Sequence, residues 1–351
     1  MGRRAVTGFI FPQAAPTPLR GMPALRWGVV GAGGIAGDFI DAMHAHTDQR
    51  AVAVASRSPE KGARFAAAHG VDRVVETVEQ LAMSPDIDVV YVATPHTAHR
   101  AGALAAIAGG KSVLIEKPMA TSEAEAQEIA DAAREACVFA MEAMWTVFRP
   151  DFAAVSALLD ERVLGDVVLA DASVAWRQDL GADSRMTNPA LGGGAILDMG
   201  VYAYWFAQYA TGRATSVSAK GRILPNGVDL DAVTALTGAS GALATASTSL
   251  RTTADGRASI SGTAGSLRFV DNFVFPARFA VTVAEGAGAG THEWSDPAML
   301  LGRQGLAYEA AGVAALVAAG AVEAPRHTLD DAVALARTSD AVRAALSVVA
   351  A

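Results

Sequence analysis

The sequence predicts an α/β chain of two domains. The N-terminal half is a doubly wound parallel sheet; the C-terminal half is an α+β domain with a large, mostly antiparallel open sheet. Three observations carry this. Short apolar runs alternate with amphipathic stretches from about Leu25 to Pro150, the pattern of repeated strand–helix–strand units. A glycine-rich turn, Gly31-Ala32-Gly33-Gly34-Ile35-Ala36, joins the first apolar run to the first amphipathic one. From Ser216 to Val283 the chain turns to short strand-like runs separated by turn residues, as in an antiparallel sheet with one face covered. A chain of 351 residues exceeds one comfortable core and fits two.

Residues 25–30 read as a strand and 35–45 as a helix. Residues 51–55 read as a strand and Pro59–His69 as a helix with proline in its first turn. A short helix near 78–83 precedes a strand at 89–93. Residues 97–108 are helical and stop at Gly109-Gly110. Strand Ser112–Ile115 leads to a helix ending near Ala136, where Ser122 and Glu125 have capping-box spacing. A strand follows at 138–141. Beyond Pro150, a helix at 152–158 leads to a strand at 166–176, and a bend at Gly192-Gly193-Gly194 leads to a helix at 195–209. Strands are expected at 233–236, 242–249, 258–261, 266–270 and 278–283, with a hairpin tip at 285–290. Helices are expected at 304–319 and 329–348. The domains divide as 24–148 and 149–351, with the last helix packing back on the first domain. Residues 1–23 read as a disordered tail or as sequence upstream of the true start, Met22 being the alternative initiator. Arg3-Arg4 with the short apolar run behind it resembles an export signal only faintly, because the run stops at Pro12.

The chain is 52% hydrophobic and 18% charged, the composition of a folded, core-rich domain. Its net charge of −8 argues against nucleic acid or an anionic membrane as partner. No apolar run reaches the roughly 18–20 residues that span a bilayer. The single cysteine, Cys137, allows no internal disulfide and fits a reducing, cytoplasmic setting. No His, Cys, Asp and Glu cluster has metal-ligand spacing, so no metal is expected.

The glycine turn has the form G-x-G-x-x-A between a strand and a helix, the pyrophosphate fingerprint of a Rossmann dinucleotide domain. Gly31 permits the turn, Gly33 lets backbone approach the pyrophosphate, and Ala36 allows close helix–strand packing. Gly34 and Ile35 open the helix whose N-terminus faces the phosphates. About 20 residues on, NAD enzymes carry an acid for the ribose 2′-hydroxyl. Here the second strand ends in Ser56-Arg57. A hydroxyl and a guanidinium suit a 2′-phosphate, so NADP is expected over NAD.

Two further segments carry chemistry. Thr94-Pro95 and Glu116-Lys117-Pro118 end successive parallel strands, at the carboxyl edge where ligands bind. Asp198 and Tyr202 stand four apart on a helix and are expected to face one cleft. A carbonyl–alcohol interconversion needs a proton carrier beside the carbon that exchanges hydride. Tyr202 suits that role if Lys117 supplies a nearby positive charge, with Asp198 orienting Lys117 or the substrate. His96 and His99 either line the cleft or cap the helix that follows Pro95.

These residues match a known family. The pieces GAGGIA (31–36), ATPHTAH (93–99), IEKPMA (115–120), MEAMW (141–145), GGGAILDMGVY (192–202) and YEAAGVAALVAAG (308–320) resemble the Gfo/Idh/MocA oxidoreductase family along nearly the whole chain from about Leu25. The chain looks most like the branch that holds dimeric dihydrodiol dehydrogenase and NADP-dependent D-xylose dehydrogenase, with Tyr where inositol dehydrogenases have His. The resemblance implies that Lys117, Asp198 and Tyr202 form the catalytic group, Tyr202 acting as general acid/base. It implies Thr94, Pro95, His99, Glu116 and Trp145 near the cofactor, and a homodimer or homotetramer formed through the second sheet; His96 stands on the nicotinamide side where the family often has Asn, itself a departure. Trp176 and Arg177 are candidates for contact with the substrate, a cyclic polyol such as an aldopyranose or a trans-dihydrodiol. Two other readings belong to the same family: an NAD-dependent redox glycosidase and a non-catalytic NADP-sensing regulator. The chain departs from the branch where W-T-R-F is usual: Val147 follows Trp145-Thr146, and Arg149 stands two residues late. Such a shift moves a side chain by roughly 6–7 Å along an extended segment, so Arg149 is no simple substitute.

Overall fold

The computed structural model describes residues 9–181, 183–286 and 288–346. Its first sheet contains β1 (Arg26–Val30), β2 (Arg50–Ala55), β3 (Arg73–Val75), β4 (Val89–Val92), β5 (Ser112–Ile115) and β6 (Ala140–Glu142). The order is β3-β2-β1-β4-β5-β6 and every pairing is parallel. The strand order reverses between β1 and β4, which opens a crevice at their carboxyl ends. Alternate residues of one strand feed two cores: Val89 and Tyr91 point into one, Val90 and Val92 into the other. Both faces of the sheet are therefore covered, which is why these strands read as unbroken apolar runs. The covering helices are α1 (Gly34–His46), α2 (Pro59–His69), α3 (Val78–Ala82), α4 (His99–Ala108) and α5 (Glu123–Ala136). Ser58, Thr77 and Ser122 each accept a hydrogen bond from the N–H three residues on, which fixes where α2, α3 and α5 begin.

After α6 (Pro150–Asp160) and β7 (Val167–Ala175) come α7 (Val201–Thr211), β8 (Ala214–Ile223), β9 (Asp229–Gly238), β10 (Leu243–Ser249), β11 (Ala254–Gly262), β12 (Gly265–Phe269), β13 (Phe279–Val283) and β14 (Gly290–Trp294). The second sheet has the order β14-β13-β12-β11-β7-β10-β9-β8. Only the central β7–β10 pairing is parallel. One face is covered by Phe152 of α6 with Trp205 and Phe206 of α7, which meet Phe269 and Phe273. The other face is open, and Leu169, Val233 and Leu243 stand exposed on it. The last two helices, α8 (Leu306–Ala318) and α9 (Leu329–Ala345), pack on α1 and α5 respectively. Ion pairs Arg337–Glu123 and Arg134–Asp330 tie α9 to α5.

Several local expectations need correction. β3, β8 and β14 were not expected: β3 is a three-residue strand, and β8 and β14 are interrupted by polar residues, so none carries a clear apolar signal. The capping box at α5 is half formed. Ser122 accepts from the Glu125 N–H, but the Glu125 carboxylate turns to the Thr121 N–H and hydroxyl instead of the Ser122 N–H. Residues 9–23 are laid along the molecule: Phe9 stacks on His292 at 4.6 Å, and Arg20 and the Gly21 N–H meet Asp48 beyond α1. Arg3 and Arg4 fall outside the described residues.

Candidate active site

A cleft of about 1220 Å³ lies between the carboxyl edge of the first sheet and the loops of the second domain. The glycine turn forms one wall. Gly31 has φ +106° and donates its N–H to the Ala55 carbonyl at 3.0 Å; a Cβ there would lie 2.5 Å from the Ala93 carbonyl oxygen. Gly31→Ala is therefore expected to lose both cofactor affinity and thermal stability, checked by titration with NADP and by a melting curve. Around Gly33 and Gly34 a Cβ would meet nothing within 4 Å, so the backbone lies open to the cleft. The first turn of α1 has no side-chain cap and no acidic residue. Ile35 lines the wall, while Ala36 is fully buried behind it. Ser56, Arg57 and Lys61 line the far end. This open backbone cradle, with cations at its adenosine end, fits a dinucleotide.

At the other end, β4 and β5 deliver Thr94, Pro95, His96, His99, Glu116 and Lys117 to the same cleft. Lys117 Nζ donates to the Asp198 carbonyl at 2.7 Å, lies 4.0 Å from Asp198 Oδ1, and sits 5.1 Å from the centroid of the Tyr202 ring. The helix carrying Asp198 begins with a π turn, Ile196–Gly200, and only then becomes α7. Asp198 and Tyr202 both line the cleft, across a widened π turn instead of the regular helix expected. The turn is anchored from outside. Asp229 Oδ2 accepts from the Ile196 N–H at 2.7 Å, and Gly194, at φ +125°, leaves room for that carboxylate where a Cβ would lie 2.4 Å from it.

Asp198 receives a second cation that the sequence did not suggest. Arg185, on the loop after β7, reaches Asp198 Oδ1 at 2.8 Å. His96 Nδ1 donates to the Gly192 carbonyl at 2.9 Å, leaving Nε2 3.8 Å from Asp198. Burial, and next the Lys117 charge, push the His96 pKa down to about 3. His96 is thus neutral, and its approach to Asp198 is not an ion pair. His99 places Nδ1 2.8 Å from the Pro118 carbonyl and Nε2 2.9 Å from that of Thr94, bridging the loops after β4 and β5. Burial lowers its pKa as well.

The charges around Tyr202 divide clearly. Burial opposes the Asp198 carboxylate, yet Lys117 and Arg185 outweigh it and hold its pKa below the usual value. Burial also opposes the Lys117 ammonium, but Tyr202, Asp198 and Glu116 together raise its pKa, so it stays charged. Burial raises the Tyr202 pKa, and Lys117 is the chief influence pulling it back. Glu116 accepts from Tyr91 Oη and from the Lys117 N–H, and burial raises its pKa. The arrangement holds a neutral phenol beside a permanent cation, a pair suited to reversible proton transfer. No group of three or more His, Cys, Asp or Glu among the described residues is placed to hold a metal ion.

Some expected residues lie elsewhere. Trp145 is buried off the cleft wall, behind Phe275, with the ring centroids 6.0 Å apart. Trp176 lines the cleft, whereas Arg177 lines a neighbouring pocket with Arg251. Arg149 is fully buried in a bidentate pair with Asp151, and its NH1 and NH2 donate to the Val274 and Phe273 carbonyls at 2.6 and 2.8 Å. It shapes the segment that presents Phe275 to the cleft and does not replace the arginine absent at Val147. Arg185, Gln178, Phe275 and Arg303 line the cleft without having been expected there. They sit in loops with no periodic or motif signal.

Comparison with known proteins agrees with this architecture. Residues 25–143 match the model of the Gfo/Idh/MocA oxidoreductase family, NAD-binding Rossmann fold, and residues 152–268 that of the Gfo/Idh/MocA C-terminal domain. The trans-1,2-dihydrobenzene-1,2-diol dehydrogenase of Xenopus tropicalis is 33% identical over 90% of this chain and 96% of its own. That of Sus scrofa is 31% identical over 93% and 98%. Among solved structures, KijD10, a 3-ketoreductase from Actinomadura kijaniata in complex with NADP and TDP-benzene, superposes with a TM-score of 0.79 at 26% identity, covering 92% of this chain and 98% of its own. A levoglucosan dehydrogenase in complex with NADH and levoglucosan shares the fold at a TM-score of 0.82 and 22% identity, covering 92% and 97%.

Proposed function

We propose a specific reaction for this chain, which belongs to the Gfo/Idh/MocA oxidoreductase family and is an NAD(P)-dependent dehydrogenase: hydride transfer between NADP and a cyclic diol or polyol, with Tyr202 as proton carrier. The observation that carries it is the Lys117 ammonium held over the Tyr202 ring at 5.1 Å, in the same cleft as the glycine turn. The bound nicotinamide supplies or accepts the hydride. Tyr202 Oη takes the hydroxyl proton in oxidation and returns it in reduction. Lys117 favours the phenolate and hydrogen-bonds the substrate oxygen. Asp198, fixed by Arg185, keeps Lys117 aimed. Thr94, Pro95, His96, His99 and Glu116 face the nicotinamide end, and Trp176 faces the substrate.

The relatives named for trans-dihydrodiols support a cyclic diol, with an aldopyranose such as D-xylose as the related choice. The preference for NADP rests on Ser56 and Arg57, with no acid at the end of β2. The exposed Leu169, Val233 and Leu243 on the second sheet suit a homodimer or homotetramer, and the lone Cys137 suits the cytoplasm. No helix among the described residues is long and apolar enough to cross a membrane.

The test is a panel of trans-dihydrodiols and aldopyranoses with NADP or NAD, followed by reduced-nicotinamide absorbance. Turnover with exchangeable NADP supports the reading; glycoside cleavage without net reduction, or binding without turnover, overturns it. In the same assay Arg57→Ala is expected to raise KM for NADP about tenfold or more, the worth of a charged hydrogen bond, and to leave KM for NAD nearly unchanged. Equal effects on both would exclude a 2′-phosphate role.

A further inference from the structure

The cleft has five lysine or arginine side chains on its walls among the described residues: Arg57, Lys61, Lys117, Arg185 and Arg303. Arg57 follows β2 and Lys61 stands in the first turn of α2, while Lys117 and Arg185 surround Asp198. Arg303 is the one left, and it comes from the other domain. It sits on the short turn Gly302–Gly305 before α8, which packs against α1. Its ion pair is with Asp38, at 3.7 Å, between two half-exposed side chains. Asp38 follows Gly34 by four residues, so it lies one helical turn behind the glycine cradle on the same face of α1. The guanidinium rests 5.7 Å from the centroid of the Phe275 ring, which limits its sideways freedom. Its charge works in a small way against the burial that raises the pKa of Glu116 and Tyr202. It therefore lines the cleft from beside α1, paired one turn behind the glycine cradle.

We propose that Arg303 is a cofactor-positioning residue that leaves Asp38 for the dinucleotide diphosphate, so that the second domain helps hold the cofactor on the glycine turn. This inference rests on the dinucleotide site described above. The first turn of α1 offers N–H groups and no acidic side chain, and an added guanidinium matches a diphosphate in shape and charge. A half-exposed pair at 3.7 Å contributes little and is readily exchanged for a doubly charged partner. Phe275 keeps the guanidinium poised for that exchange, and the buried Arg149–Asp151 pair holds the segment that carries Phe275.

The test is calorimetric or fluorescence titration of the full-length protein with two probes, 2′-phospho-ADP-ribose and 2′-AMP. The second has the adenosine end and no diphosphate. Arg303→Ala is expected to weaken 2′-phospho-ADP-ribose about tenfold or more, the worth of one charged hydrogen bond, and to leave 2′-AMP unchanged. Asp38→Asn, which removes the competing carboxylate, is expected to hold or tighten 2′-phospho-ADP-ribose binding. Equal weakening of both probes by Arg303→Ala, or matching losses in the two variants, would show a structural pair and overturn the proposal. Failure of the unaltered protein to bind either probe would instead remove the reading of a 2′-phosphorylated dinucleotide, and this inference with it.

Discussion

Tyr202→Phe is expected to lower turnover by about 10²–10⁴-fold, the usual worth of a positioned proton donor or acceptor, while NADP binding stays intact. The ring is buried among Lys117, Glu116 and the aromatic residues of α7, and the substitution removes one oxygen without changing its packing. The hydroxyl makes no hydrogen bond within the protein among the described residues, so its loss leaves no buried partner unsatisfied. Turnover under saturating NADP, with a melting curve to confirm the fold, separates this from a structural effect. A variant of unchanged activity would assign the proton to another group.

Lys117→Met is expected to act almost as strongly, for a different reason. Methionine keeps the apolar stem of the side chain, one atom shorter, but removes the ammonium that lies over Tyr202 and bonds the Asp198 carbonyl. Burial already raises the Tyr202 pKa, and Lys117 is the chief opposing influence. Without it the phenolate becomes still harder to form. In the oxidation direction Tyr202 must accept a proton, so activity rises with pH toward the Tyr202 pKa. Removing Lys117 moves that rise to higher pH. In reduction Tyr202 must donate, so the neutral range stays level and activity falls only in strong alkali. We expect kcat to drop by at least about 10²-fold at neutral pH, with the affinity for NADP little changed. A drop in affinity alone would make Lys117 a binding residue.

Much of this site was legible because its signals are local. The glycine turn depends on a backbone angle and a close approach at one position, and Gly31 shows both. Lys117 follows a strand that is apolar through Val113, Leu114 and Ile115, so its place at the carboxyl edge follows from chain order. What escaped sequence reading depends on long-range packing. Arg185 and Arg303 reach the cleft from irregular loops separated from it by whole elements. Asp198 and Tyr202 both reach the cleft, but the π turn between them, held by Asp229, and the pairing of Asp198 with Arg185 have no sequence signature. Arg149 shows the limit of spacing arguments: its buried pairing with Asp151 and its bonds to residues 273 and 274 have no sequence signature. Trp145, placed near the cofactor by resemblance, is screened from the cleft by Phe275.

The central claim is that a lysine-tuned tyrosine carries the proton that accompanies hydride transfer. Single-turnover reduction of NADP, followed by absorbance across pH in the unaltered protein and in Tyr202→Phe, tests it most directly. The account predicts a rate that climbs with pH in the unaltered protein, because burial keeps Tyr202 protonated beyond its ordinary range. It predicts a slow, pH-independent rate in the phenylalanine variant. A phenylalanine variant that kept both the rate and its rise with pH would contradict it.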